Sequence, residues 1–206
     1  MSTAPATSKK TEQSQRTRRK LLKVAQRKFA ALGYAGTALE DVAAAAGVTT
    51  GAVYHLFRDK KALFHAVAAA LEAEIVDKAR DVSRLAVGES KRRTLERLGA
   101  AAQSLLDSFT VPAVAQILMV DAPAVLGTKL WQELRTEHIL GYLVEALEWQ
   151  MMQGTIEREP AAPLAHVLIG ALTAAGLLIA YADDKLKARD EAGSAVLRLF
   201  MGLERR

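Results

Sequence analysis

The chain has 206 residues, half of them apolar and 5% aromatic, with no cysteine and a formal net charge of +5. That length can bury a substantial core in one or two domains, while the missing cysteine excludes disulfides, thiolate metal sites and cysteine nucleophiles. The charge is divided unequally: residues 1–60 carry 11 Lys and Arg against 4 Asp and Glu, a net of +7, whereas the remaining 146 carry 17 against 19, a net of −2. A basic front on a nearly neutral body points to a polyanion as the partner of the front. Alanine and leucine abound and strand-like runs are few, so the expected fold class is all-α.

The opening stretch, MSTAPATSKKTEQSQRTRRK, is polar and basic and lacks the apolar run of a secretory signal. It reads as a disordered basic arm over 1–15. Leu22, Ala25, Phe29 and Leu32 then recur at helical spacing, predicting a helix from about Arg16 that stops at Gly33. Thr37 with Glu40 three residues later forms a capping-box pattern for a short helix through Ala45 or Ala46. Gly47 suits the left-handed geometry that ends that helix. Thr49 or Thr50 can cap a third helix running to Phe57, and Asp59 can cap a long fourth, KKALFHAVAAALEAEIVDKARDV.

On a wheel at about 100° per residue, Thr50, Gly51, Tyr54, His55 and Arg58 fall on one side of the third helix. Ala52, Val53, Leu56 and Phe57 fall on the other. A short helix, a glycine turn and a second helix with an apolar back are the parts of a helix-turn-helix. The outward face carries no large aliphatic side chain, so it can enter a groove closely, and its N-terminal amides favour phosphate. The helix offers no Asn, Gln or early Arg for bidentate base reading. Phosphate contact and DNA shape are therefore expected to supply much of the affinity, with strong salt dependence and a contribution from Lys9 to Lys20.

Thr37, DVAAAAGV, TTGAVYHLF and RDKKALF together resemble the DNA-binding domain of TetR-family transcriptional regulators over residues 16 to 65, about a quarter of the chain. The resemblance implies an N-terminal three-helix DNA-binding domain over 16–62, joined to a larger antiparallel helical bundle over 63–206. That bundle would bind a ligand and form a homodimer. It implies a phosphate-contacting cap at Thr37, base and backbone contacts at Thr49, Thr50 and Gly51, a phosphate contact at Tyr54, and a lysine contact at Lys60. Many members carry His or Tyr where this chain has Leu56, while its histidine stands one place earlier. His55 faces outward on the wheel and takes over that contact. A palindromic operator, a homodimer and a small-molecule effector are the partners so implied.

Beyond residue 85 the pattern stays helical. ESKRRTLERLGAAAQSLLDSF is amphipathic and ends near Thr110, and VPAVAQILMVDAPAVLG starts on a first-turn proline and is expected to break at Pro123 and Gly127. TKLWQELRTEHILGYLVEALEWQMMQG reads as one long helix closing at Gly154. Residues 160 to 182 contain no charge and could span a bilayer by length. Against a span stand His166, the wealth of alanine and the lack of basic residues clustered at one flank. The small Gly170, Ala174 and Gly176 would let another helix approach. In the family the last two long helices form the dimer interface, and AGSAVLRLFMGL is similar to the final one. A ligand pocket is expected among Leu105, Phe109, Ile117, Met119, Trp131, Tyr142, Trp149 and Met152, apolar groups with a few polar tips.

No Ser-His-Asp ordering, spaced His/Glu set or Gly-rich phosphate loop is present in the sequence, so neither an enzyme nor a cofactor or metal is expected. The expected function is sequence-specific transcriptional regulation in the cytoplasm, by a repressor that a small hydrophobic or aromatic effector releases from DNA. The competing reading is a membrane-attached or structural helical protein built on the 160–182 stretch.

Overall fold

The structure, a computed structural model, describes residues 6–85 and 92–205. Residues 1–5 of the expected arm and the Glu89 start of the expected fifth helix lie outside them. The chain divides into two compact units, Met1–Val67 and Ala68–Arg206. The division falls inside a helix, five residues beyond the boundary expected at 62/63.

The first unit holds α1 (Ala6–Gly36), α2 (Leu39–Ala46), α3 (Thr50–Phe57) and the start of α4 (Lys60–Leu85). The structure corrects the disordered arm: α1 already begins at Ala6. Between Ala6 and Leu32 no Gly or Pro interrupts the chain, and the Lys, Gln, Glu and Arg there propagate a helix well. The helix breaks direction at Gly33, whose φ of 68° and ψ of 174° are not helical. The buried stripe of α1 is Leu21, Ala25 and Phe29, each fully buried, whereas Leu32 is 52% exposed and Leu22 half-buried. Adjacent leucines left the register open, and packing selects the i, i+4, i+8 row. Phe29, Tyr34 and Phe64 form an aromatic cluster with ring centroids 5.1 to 6.0 Å apart, joining α1 to α4.

The second unit continues α4 and adds α5 (Arg92–Phe109), α6 (Pro112–Ala115), α7 (Ala122–Leu126), α8 (Thr128–Glu137), α9 (Leu140–Met152), α10 (Ala161–Tyr181) and α11 (Lys185–Met201). Among the described residues no strand occurs, only an isolated bridge between Ile156 and Glu204. The chain does not break at Pro123. A π-helical turn over Gln116–Asp121 leads directly into α7, with Pro123 in its first turn. The Ala122 N–H reaches back to the Ile117 carbonyl, and Gln116 donates to Asp121 at 3.1 Å across the widened turn. The expected single helix over 128–154 is also corrected. It stops at His138 and Ile139, where the freed His138 carbonyl accepts from Arg80 of α4. A tertiary donor thus replaces the helical one, a signal that local periodicity does not contain.

Close packing follows the small residues. A Cβ on Gly99 of α5 would fall 2.7 Å from Leu197, and one on Gly176 of α10 would fall 2.9 Å from the Phe109 ring. Helix α10 buries Ala165, Leu168, Ile169, Leu172, Ala175, Gly176 and Ile179, while Val167, Leu178 and Tyr181 stand two-thirds exposed. By length and composition it is the one described helix able to cross a membrane, with mean hydropathy 2.0, and 44% of that window is buried in its own chain.

Candidate nucleic-acid interface

The turn between α2 and α3 is built by two hydrogen bonds and a glycine. Gly47 sits at φ 64°, ψ 39°, its N–H donating to the Ala44 carbonyl while Val48 donates to Ala43, each at 3.0 Å. Of the two possible caps for α3, the structure uses Thr49, whose hydroxyl accepts from the Ala52 N–H at 3.2 Å. Asp59 opens α4 in the same manner, accepting from Ala62 at 2.7 Å. These short-range bonds hold α2, α3 and α4 in the order and polarity of a helix-turn-helix.

Helix α3 turns Val53 and Phe57 into the core and leaves Gly51, Tyr54, His55 and Arg58 exposed, with Thr50 half-buried. Tyr54 is 48% exposed. It is therefore a presented phenol and not a packed one. Gly51 is instructive, because a Cβ there would meet only the Thr49 hydroxyl, at an ordinary 3.9 Å. Nothing inside the fold demands glycine at 51, and its position on the outward face leaves that face flat.

Arg58 is the one described non-glycine residue with positive φ, at 58° with ψ −53°. The Asp59 N–H donates to the Phe57 carbonyl across it at 2.5 Å, which makes Arg58 the centre of a strained γ-turn between α3 and α4. Its side chain is 92% exposed, 3.9 Å from Asp59. Sequence reading placed Arg58 on the outward face without assigning it a contact. Two members of the Lys9 to Lys20 stretch lie near this helix: the Arg18 guanidinium covers the Phe57 ring at 5.2 Å, and the Lys20 ammonium lies beside Gly47, 3.5 Å from where a Cβ would stand. Their signal was the Arg16–Lys20 run, a basic cluster whose rotation toward the turn depends on tertiary packing.

Two residues expected to contact DNA make hydrogen bonds within the fold. Thr37 is 2% exposed, and its hydroxyl donates to the Gly33 carbonyl at 2.8 Å. The residue ties off the end of α1. It does not cap α2, whose N-cap is Ala38 without a side-chain bond. The Thr37 hydroxyl is thus engaged inside the fold, because the Gly33 bend leaves a carbonyl that the nearest hydroxyl satisfies. Lys60, half-buried, donates to the Ala35 carbonyl at 3.3 Å on the surface, with its ammonium 4.4 Å from the Tyr34 ring centre. Burial, then the negative Asp59, pushes the Tyr34 phenol above its ordinary pKa, keeping it neutral beneath that ammonium.

In the second unit the eight expected pocket residues do not line a single cavity in the structure. Leu105, Phe109, Ile117 and Met119 are sealed in the core. Tyr142 donates to Ser83 at 2.8 Å. Trp149 is exposed, and Met152, exposed too, borders a separate surface depression with Gly154, Arg158 and Arg205. Trp131 alone of the eight lines the larger cavity, an open groove of about 680 Å³ between α8 and α10. Helical spacing finds the apolar residues but cannot separate those filling a core from those bounding a void. Among the described residues no group of three His, Asp or Glu could hold a metal ion.

Comparison with known proteins agrees with this architecture. Residues 21–67 match the family described as bacterial regulatory proteins, tetR family, and residues 95–203 match the tetracyclin repressor-like C-terminal domain. The HTH-type transcriptional regulator AcrR of Shigella flexneri is 47% identical over 53 residues, 26% of this chain and 25% of that protein. The probable HTH-type transcriptional regulator ArpR of Pseudomonas putida is 36% identical over 98 residues, 48% of this chain and 43% of that one. The matched part thus spans less than half the length of either relative. A crystal structure of a TetR-family transcriptional regulator from Pectobacterium atrosepticum superposes with a TM-score of 0.80 at 28% identity, covering 95% of this chain and 97% of that one. With its C-terminal match spanning more than half of the sequence and its helix-turn-helix matched separately, the chain belongs to the TetR family of bacterial regulatory proteins.

Proposed function

We propose that the chain is a homodimeric, sequence-specific DNA-binding transcriptional regulator, a repressor that a small apolar or aromatic effector releases from a palindromic operator. The observation carrying this reading is the outward face of α3: Gly51, Tyr54, His55 and Arg58 exposed, Thr49 at the helix start, and Val53 and Phe57 holding the helix from behind. Such a face fits a major groove, with threonine methyls against thymine methyls and a histidine donor toward a guanine edge. Arg18 and Lys20 add cations near the turn for the flanking phosphates. Dimerisation is supported by the exposed Val167, Leu178 and Tyr181 of α10 and Leu186, Leu197 and Leu199 of α11, apolar side chains that a second copy would cover. The groove beside α8 and α10 supports an effector site.

In vitro selection of DNA by the purified protein tests this reading. A two-fold symmetric motif is expected, with half-sites about one helical turn apart. Salt-sensitive binding without a motif would reduce the protein to a nonspecific binder. Tyr54→Ala should weaken selected and random DNA alike, as befits a phosphate contact, whereas Thr50→Ala should shift preference at particular positions.

A further inference from the structure

The second unit contains a buried ion pair that no part of the DNA-binding reading uses. Arg135 of α8 and Glu72 of α4 are 5% and 1% exposed, and Arg135 Nη1 lies 2.5 Å and 2.7 Å from the two carboxylate oxygens. One nitrogen thus takes both oxygens. The side-by-side fork that arginine usually offers a carboxylate is not formed, and Nε, fully buried, donates to nothing. The same guanidinium lies over the Phe109 ring at 5.2 Å and lines the groove between α8 and α10. An unsatisfied N–H on a buried cation is costly to leave, and the side chain that carries it is part of the wall of an open groove.

The rest of the groove defines what could satisfy it. Trp131, Ile169, Gly170, Ala174 and Leu177 supply apolar walls, and a Cβ on Gly170 would meet nothing within 4 Å, so the space in front of α10 is open. The Trp131 indole N–H and the Thr173 hydroxyl already donate to the Leu118 and Ile169 carbonyls, so neither hydrogen is left for a ligand. The Arg135 guanidinium can only donate, so the complementary group is an acceptor oxygen, and against a cation an anionic oxygen binds best. Glu133 and Lys129 at the rim sit 3.9 Å apart, largely in solvent, and offset one another.

We propose that this groove binds an aromatic molecule carrying one carboxylate, with Arg135 receiving the carboxylate, and that the Arg135–Glu72 pair reports occupancy to α4. A second anion on the guanidinium competes with Glu72 for the same positive charge. Glu72 stands on α4, which is unbroken from Lys60 to Leu85. The coupling rests on the effector-release reading above. The carboxylate site does not.

The test uses the full chain and two probes with one ring system, 2-naphthoate and neutral 2-naphthamide, titrated calorimetrically. The acid should bind at least about tenfold more tightly than the amide, the worth of one charge-assisted hydrogen bond. Gly170→Leu, which fills the groove and leaves the ion pair alone, should remove binding of both probes. Arg135→Lys should erase the preference for the acid. In wild type 2-naphthoate should weaken binding to selected DNA, and Glu72→Gln should bind the acid yet lose that response. Equal affinity for acid and amide, absence of binding, or unchanged binding in Gly170→Leu would overturn the site. An equal DNA response in wild type and Glu72→Gln would overturn the coupling. Failure of the untreated protein to select DNA would instead sink the regulator reading, with acid binding judged separately.

Discussion

In the unit Met1–Val67 the hydroxyls and carboxylate that tie off or cap helices find their partners within a few residues, Thr37 on Gly33, Thr49 on Ala52, Asp59 on Ala62, while Lys60 reaches farther, to Ala35. In Ala68–Arg206, beside local bonds such as Thr173 on Ile169, several polar groups are held over long separations, Arg80 on His138, Tyr142 on Ser83, Arg135 on Glu72. There Arg80 Nε, Arg135 Nε, the Gln150 amide and the Thr155 hydroxyl are buried with no partner, and among the described residues all such atoms lie in this unit. The first unit is a scaffold of satisfied local bonds that presents an exposed face. The second keeps unsatisfied groups inside, where a ligand or an alternative arrangement can use them.

That contrast can be broken at several points. The largest expected effect is at the buried pair: Glu72→Ala leaves Arg135 uncompensated and should lower stability by about 3–5 kcal/mol in urea unfolding, while the paired apolar change Glu72→Met with Arg135→Leu should restore most of it. A loss under about 1 kcal/mol would show that the arginine reaches solvent. Next, Gly176→Ala drives a methyl to 2.9 Å from the Phe109 ring and 3.2 Å from Met119 Sδ, and should cost about 1–3 kcal/mol. Gln150→Met removes an amide with neither donor nor acceptor satisfied and keeps its volume, so thermal denaturation should show a gain of about 1 kcal/mol. A loss of stability in Gln150→Met would overturn the reading of this amide as a net cost. The smallest effect sharpens the first unit: Arg58→Gly relieves a positive φ and should stabilise by up to about 1 kcal/mol while lowering the salt dependence of DNA binding by about one phosphate contact.

How far the sequence could be read follows the same division. Gly47, Asp59 and the alternation of Val53 and Phe57 with Tyr54, His55 and Arg58 act through neighbours one to four residues away, so spacing alone located the turn, the cap and the outward face of α3. Thr37 misled because a capping-box pattern and a bond back to Gly33 involve the same residue, and only the bend at Gly33 decides between them. In the second unit the apolar residues were identified correctly as apolar. Their distribution between core and cavity was not legible, since Phe109 and Met119 are fixed by the approach of Gly176, far along the chain.

The sequence by itself determined the all-helical class, the helix-turn-helix and the charge asymmetry, because backbone propensity, turn glycines and side-chain periodicity are local quantities. Tertiary structure alone decided the break at His138, the groove between α8 and α10 and the pairing of Arg135 with Glu72. Each joins residues dozens of positions apart, and a guanidinium stays buried there only where a carboxylate from another helix lies within hydrogen-bonding distance.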